Sequence, residues 1–202
     1  MQLTDTQQAI RDAARRFAEQ EIAPHAADWD RTGKTPRAIY RKMAEAGLMG
    51  VTVSPEYGGA GADFLSYVLA IEEVSAADGG VSNMMAATNS PVAVAIEENG
   101  TDQQKQDYLT KLTSGEWLGS IHLTEPHTGS EAAAIKTRAV RDGEDFILTG
   151  EKAFITGGAS SNIAMIVAVT DPEGGKKGSP AGERQQKGAP RGGAAAKRGG
   201  PA

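Results

Sequence analysis

The sequence predicts an α+β fold: an N-terminal all-helical domain (1–116), then an incomplete antiparallel β domain (117–172), then a disordered tail (173–202). Three observations carry this reading. Apolar residues recur at helical spacing as far as the segment before Trp117, and beyond it they fall into short β-branched runs. The last thirty residues hold nine Gly, six Ala, three Pro and seven Lys/Arg but no Val, Ile, Leu, Met or aromatic residue. Such a segment cannot bury enough apolar surface to offset the entropy of ordering it.

In the helical part, Thr4 or Asp5 caps a first helix whose apolar positions Ile10, Ala13, Ala14, Phe17 and Ile22 keep helical spacing until Pro24 stops it. A second helix starts near Pro36 and carries Ile39, Tyr40 and Met43. The run GVTVSPEYGGAGAD is a loop by its Gly and Pro content. Phe64 to Ala76 is strongly apolar on one face, Gly79-Gly80 breaks the chain, and a Met-rich helix begins near Ser82. A shorter helix spans Pro91 to Glu98 and stops at Asn99-Gly100. Thr101-Asp-Gln-Gln104 is a capping box opening the last helix, with Tyr108, Leu109 and Leu112 facing inward.

In the β part the strands are expected in WLGSIHLTE, AIKTRAV, DFILTG, KAFIT and NIAMIVAVT, with Asp142-Gly143 as a hairpin turn. Five short strands with open edges make an unfinished domain.

Composition narrows the function. The net charge is -5, and setting aside the tail at +5 leaves -10 on residues 1–172. An acidic body argues against nucleic acid as a partner. The sequence contains no cysteine, which excludes disulfides and thiolate chemistry. No apolar run approaches the roughly 18 residues of a membrane span, and the start lacks the pattern of a secretory signal. The cytoplasm is therefore the expected compartment, without membrane association.

Three histidines, His25, His122 and His127, are the obvious metal candidates. His122-x-x-Glu125-x-His127 fits no helical zinc motif because Pro126 interrupts it, and odd separations on a strand point to opposite faces, so no metal is expected. Gly58-Gly59-Ala60-Gly61 lacks the following Lys-Ser/Thr of a phosphate loop and reads as a connector. Two other segments hold more chemistry. Leu123-Thr-Glu-Pro-His-Thr-Gly-Ser-Glu131 leaves a strand, turns at Pro126 and carries Gly129-Ser130, where unblocked N–H groups suit a phosphate. Lys152-Ala-Phe-Ile-Thr-Gly-Gly158 puts an aromatic and a hydroxyl on one face of a strand end, which suits a flat ring with a polar edge. Taken singly, each segment also reads as an ordinary turn.

Together, LTEPHTGSE, IKTRA and FILTGEKAFITGG, with GTDQQKQDYLTKLTSGEWLGSIHLTEP upstream, resemble the acyl-CoA dehydrogenase family over roughly residues 2–178. The family pattern has Ala, Gly or Cys where His122 stands and Asp where Glu131 stands. The resemblance implies a FAD cofactor, an acyl-CoA substrate, an electron-transfer flavoprotein as electron acceptor, and a homo-oligomer. It implies that Leu123, Thr124, Gly129, Ser130, Phe154 and Thr156 contact the cofactor. Thr124 would bind the isoalloxazine, Ser130 would lie near the pyrophosphate and the CoA, Phe154 would cover one ring face, and Thr156 would hydrogen-bond near flavin N5. Met84 and Asn89, with Ser130, would bind substrate. No residue matches the family's catalytic carboxylate, which belongs to its C-terminal part.

After Gly178 the composition resembles out-of-frame translation of GC-rich DNA, so a truncated or frameshifted chain of weak or no activity is expected. The alternative is a non-catalytic helical module that binds a partner, with a basic tail.

Overall fold

In the computed structural model, residues 2–143, 145–170 and 196–197 are described; the tail expected to be disordered otherwise lies outside the described residues. Helix α1 (Asp5–Phe17) opens with a full capping box: Thr4 Oγ1 accepts from the Gln7 amide, and the Gln7 side chain accepts from the Thr4 amide. It widens into a π-turn over Ala18–Ile22, directly before Pro24. Its buried stripe, Ala14, Ala18 and Ile22, packs on α4 (Phe64–Ala77). Glu73 of α4 holds the two together, accepting from Arg11 Nε at 2.8 Å and from Arg15 at 2.7 and 2.9 Å.

A helix that periodicity did not disclose, α2 (Ala26–Thr32), follows Pro24. It buries no residue and is closed by Gly33 in the left-handed region (φ +64°), so it leaves no apolar stripe in the sequence. Helix α3 (Ala38–Glu45) buries Ile39, Tyr40 and Met43 as expected. Gly79-Gly80, expected to break the chain, instead begins α5 (Gly79–Ala87). The break is the single extended residue Asp78, whose carboxylate accepts from the Val81 amide at 2.7 Å and so pays for the new helix start.

From α5 the chain passes through a wider turn, Thr88–Ala93, into α6 (Val94–Asn99). The second expected capping box is present: Thr101 and Gln104 cap each other's amides at α7 (Asp102–Gln104). That helix continues through a π-turn (Lys105–Leu109) into α8 (Thr110–Thr113), with Leu109 and Leu112 buried.

Strand β1 (Gly119–His122) lies directly on the Thr88–Ala93 turn. A Cβ on Gly119 would fall 2.8 Å from Val92 Cγ1, and the Gly119 amide donates to Thr88 Oγ1 at 3.1 Å. Leu118 belongs to the main helical core and Ile163 to a second cluster with Val53, Val92, Leu109 and Leu112, so the sheet is sewn to the helices. The β part is mixed rather than uniformly antiparallel. Hairpin β2 (Arg138–Asp142) and β3 (Asp145–Thr149) is antiparallel around the expected Asp142-Gly143 turn, with Gly143 at φ +62°. However, β1 pairs in parallel with β4 (Ile163–Ile166), from Gly119↔Ile163 to His122↔Ile166. A two-residue strand β5 (Ala196–Lys197) lies antiparallel on the other side of β4. The strand expected in KAFIT does not form. Its residues are held instead by the contacts described next.

Candidate functional site

The two segments singled out in the sequence meet at one junction. The Ala153 amide donates to the Thr124 carbonyl at 2.9 Å. Beside it, Lys152 Nζ donates to the Leu123 carbonyl at 2.9 Å and to Glu125 Oε1 at 2.8 Å. Both ionic side chains are withdrawn from water, at 8% and 3% exposure for Lys152 and Glu125. The Thr137 amide donates to the same oxygen at 2.9 Å, and the Lys136 amide donates to Oε2 at 2.7 Å. Burial pushes the Glu125 carboxyl up, but the Lys152 ammonium and the backbone N–H donors outweigh it and hold it down at about 2. Neither Glu125 nor Lys152 was singled out as a site residue. A lone Glu and a lone Lys 27 positions apart give no local signal that they pair.

After Glu125 the chain reverses in two residues, Pro126 and His127, closed by amide–carbonyl bonds between Glu125 and Thr128 in both directions, at 2.9 and 3.1 Å. This is the turn that Pro126 foretold. His122 lies buried on β1 and His127 at the exposed tip. Among the described residues no group of three or more His, Cys, Asp or Glu could hold a metal ion.

Gly129 and Ser130 sit exposed after the turn, and a Cβ on Gly129 would meet only the Thr124 methyl, at 3.8 Å. The backbone there is open to a ligand. Phe154 takes a left-handed backbone (φ +56°) and leaves its ring 93% exposed. That conformation costs a non-glycine residue about 1 kcal/mol or more, and it explains why no strand runs through 152–156. Thr156 is half-buried, and the turn beyond it presses Gly157 against Met84: a Cβ there would lie 2.0 Å from Met84 Cε. Met84, itself buried, thus brings α5 to the platform.

Asn89 is 1% exposed, and its amide is fully used: Oδ1 accepts from the Gly50 and Val51 amides, and Nδ2 donates to the Leu48 and Met85 carbonyls. Its side chain thus brackets the 48–51 segment.

The donor set matches a flat, polar-edged cofactor carrying phosphates. The hydroxyls of Thr124, Ser130 and Thr156 make no hydrogen bond among the described residues, whereas those of Ser120, Thr128 and Ser161 nearby are all engaged. Three unspent hydroxyls, an unobstructed glycine and an exposed aromatic ring thus lie on the two segments that the junction joins. A hollow of about 410 Å³ flanks it, lined by His122, Gly150, Lys152, Ile155, Gly158 and Ala159. A larger one of about 580 Å³ lies away from it, between α2 and Asp78-Gly79-Gly80, and neither hollow is lined by Thr124, Ser130, Phe154 or Thr156.

The chain is similar to known proteins along most of its length. The description "Acyl-CoA dehydrogenase, N-terminal domain" matches residues 4–116, and "Acyl-CoA dehydrogenase, middle domain" matches residues 120–183. The short-chain specific acyl-CoA dehydrogenase of Clostridium acetobutylicum is 43% identical over 176 residues, 87% of this chain and 46% of that protein. The structure of butyryl-CoA dehydrogenase from Megasphaera elsdenii superposes with a TM-score of 0.80 at 35% identity, covering 87% of this chain and 47% of that one. A glutaryl-CoA dehydrogenase from Mycobacterium smegmatis in complex with FADH2 gives 0.80 at 32% identity, covering 84% and 44%. The chain spans somewhat less than half the length of the curated relatives it matches. With the helical half and the mixed sheet both matched and the two motif segments joined at one junction, the chain belongs to the acyl-CoA dehydrogenase family.

Proposed function

We propose that this chain forms the FAD- and thioester-binding half of an acyl-CoA dehydrogenase, acting in the α,β-dehydrogenation of an acyl-CoA. The observation that carries this is the junction itself: Thr124 and Ala153 joined at 2.9 Å, with unspent hydroxyls on both segments. Bound FAD supplies the acceptor for the hydride leaving the β-carbon. The rest falls to the protein.

Leu123 and the Thr124 hydroxyl and backbone would hold the isoalloxazine, with the Phe154 ring and the Thr156 hydroxyl as further contacts to it. Gly129 and Ser130 present amide and hydroxyl donors to the pyrophosphate and the CoA. Met84 walls the acyl chain. The α-proton is too weakly acidic to leave unless hydrogen bonds polarise the thioester carbonyl, and a carboxylate base must remove it. The family's base belongs to its C-terminal part, which these 202 residues do not match. An electron-transfer flavoprotein takes the electrons, and the complete assembly is a homo-oligomer. No described helix is long and apolar enough to cross a membrane.

The test is a FAD titration of the purified chain followed by flavin absorbance and fluorescence, with Thr124→Val, Phe154→Ala and Thr156→Val. The expected result is saturable binding, weakened at least several-fold by each substitution. Absence of binding by the unsubstituted chain would reject the flavoprotein reading in favour of a non-catalytic binding module.

A further inference from the structure

The platform turn is tied to the helical domain by a residue far from it in sequence. Arg37, immediately before α3, sends its guanidinium across to the β part. Nη1 donates to the Ser160 carbonyl at 2.9 Å, and Nη2 donates to the Glu116 carbonyl at 3.1 Å and to Asn162 Oδ1. Asn162 Oδ1 also accepts from the Leu118 amide, and the Asn162 amide donates to the Leu118 carbonyl at 2.9 Å. One planar cation therefore ties the entry to β1 and the entry to β4 to the start of α3.

The segment so held is continuous with the platform. The Gly158 amide bonds the Ile155 carbonyl, and the Ser160 and Ser161 amides both bond the Gly157 carbonyl. From the inside, Ser161 Oγ lies 2.6 Å from Ser120 Oγ, which lies 2.9 Å from His122 Nε2. Gly157 in turn rests on Met84. Any displacement at Ser160–Asn162 is thus transmitted within one turn to Thr156 and to the gap between the platform and α5.

We propose that Arg37 is a positioning residue for the cofactor platform: its three bonds set the 155–162 turn against the helical domain and so fix Phe154 and Thr156 relative to Met84. This rests on the flavoprotein reading for its functional consequence, but the positioning itself is measurable without FAD.

The experiment uses the full chain with Arg37→Ala and Arg37→Lys, reading amide hydrogen exchange, the denaturation midpoint and FAD affinity. In Arg37→Ala, exchange at Gly158, Ser160, Ser161 and Asn162 is expected to accelerate tenfold or more, while amides in α1 and α4 stay within twofold. FAD affinity is expected to fall tenfold or more with little change in the midpoint. Arg37→Lys, which reaches one or two acceptors but not all three, should fall between.

Unchanged exchange at 158–162, or equal acceleration throughout the molecule, would overturn the proposal, as would faster exchange with unaltered FAD affinity. Should the unsubstituted chain bind no FAD, the flavoprotein reading fails, and the exchange data alone still decide whether Arg37 sets the turn.

Discussion

Replacing Lys152 by methionine would leave the Glu125 carboxylate at 3% exposure with two backbone donors and, as the one remaining ion-pair partner, the His127 ring 3.7 Å away, which compensates its charge only when protonated. The depressed Glu125 carboxyl, pushed up by burial but held down by Lys152 together with the Lys136 and Thr137 donors, gives the sign of the effect. Breaking a buried ion pair by removing one partner costs about 3–5 kcal/mol. Against a typical total stability of about 5–15 kcal/mol this is a large fraction.

The direction with pH follows from the depressed value. The stabilisation is complete above the unfolded carboxyl's range near 4.5 and is lost as pH falls through about 2. Urea denaturation of wild type and Lys152→Met, followed by circular dichroism between pH 7 and pH 2.5, should show a gap of about 3 kcal/mol at pH 7 that narrows below pH 4.5. A double substitution, Lys152→Met with Glu125→Gln, should recover part of the loss by removing the stranded charge. A gap below about 1 kcal/mol at pH 7, or one that does not change with pH, would refute the assignment of this pair as a buried, coupled contact.

Three further outcomes are expected. Asn89→Ala takes the side-chain partner from the Gly50 and Val51 amides and the Leu48 carbonyl, while the Met85 carbonyl keeps the Thr88 amide, and should cost about 3 kcal/mol by denaturation, with Asn89→Asp intermediate. Gly157→Ala forces a left-handed residue at φ +66° and a Cβ into the Met84 methyl. It should cost about 1–2 kcal/mol, mostly from the backbone, because Met84 can swing away; Gly157→Ala with Met84→Ala therefore recovers little. Glu73→Gln weakens three contacts between α1 and α4 and should lower stability by about 1–2 kcal/mol at pH 7. The Arg15 hydrogen bond, against opposing burial and with help from Arg11, holds that carboxyl at about 2, so the difference should shrink as pH falls below 4.5.

What the sequence disclosed was local. The capping boxes at Thr4 and Thr101, the Asp142-Gly143 hairpin and the Pro126 reversal are each fixed by residues within a few positions of one another. Helix α2 escaped notice because it buries nothing, and Gly79-Gly80 misled because Asp78 both ends one helix and caps the next. The site was half legible. The hydroxyls and glycines stood out by their motif segments, but the parallel β1–β4 pairing, the Lys152–Glu125 pair and the Arg37 tie join residues 27 to 125 positions apart. No periodicity encodes such partners. Phe154 shows the same limit from another side: its strand-like neighbours predict an extended backbone, while anchoring of Lys152 and Ala153 on β1's continuation turns it left-handed.

The parallel pairing of β1 with β4 has a kinetic consequence. Leu118 and Asn162, which open the two strands, are 44 positions apart, and the whole hairpin and the Phe154 turn lie in the excursion between them. Closing so long a detour forfeits chain freedom before any contact rewards it, so such pairings form late. The helical bundle, rich in near-neighbour contacts, should condense first and serve as the template on which β1 lies. The 155–162 turn is held at its far end only when β4 returns, so the surface proposed to hold the cofactor is among the last parts of this fold to settle.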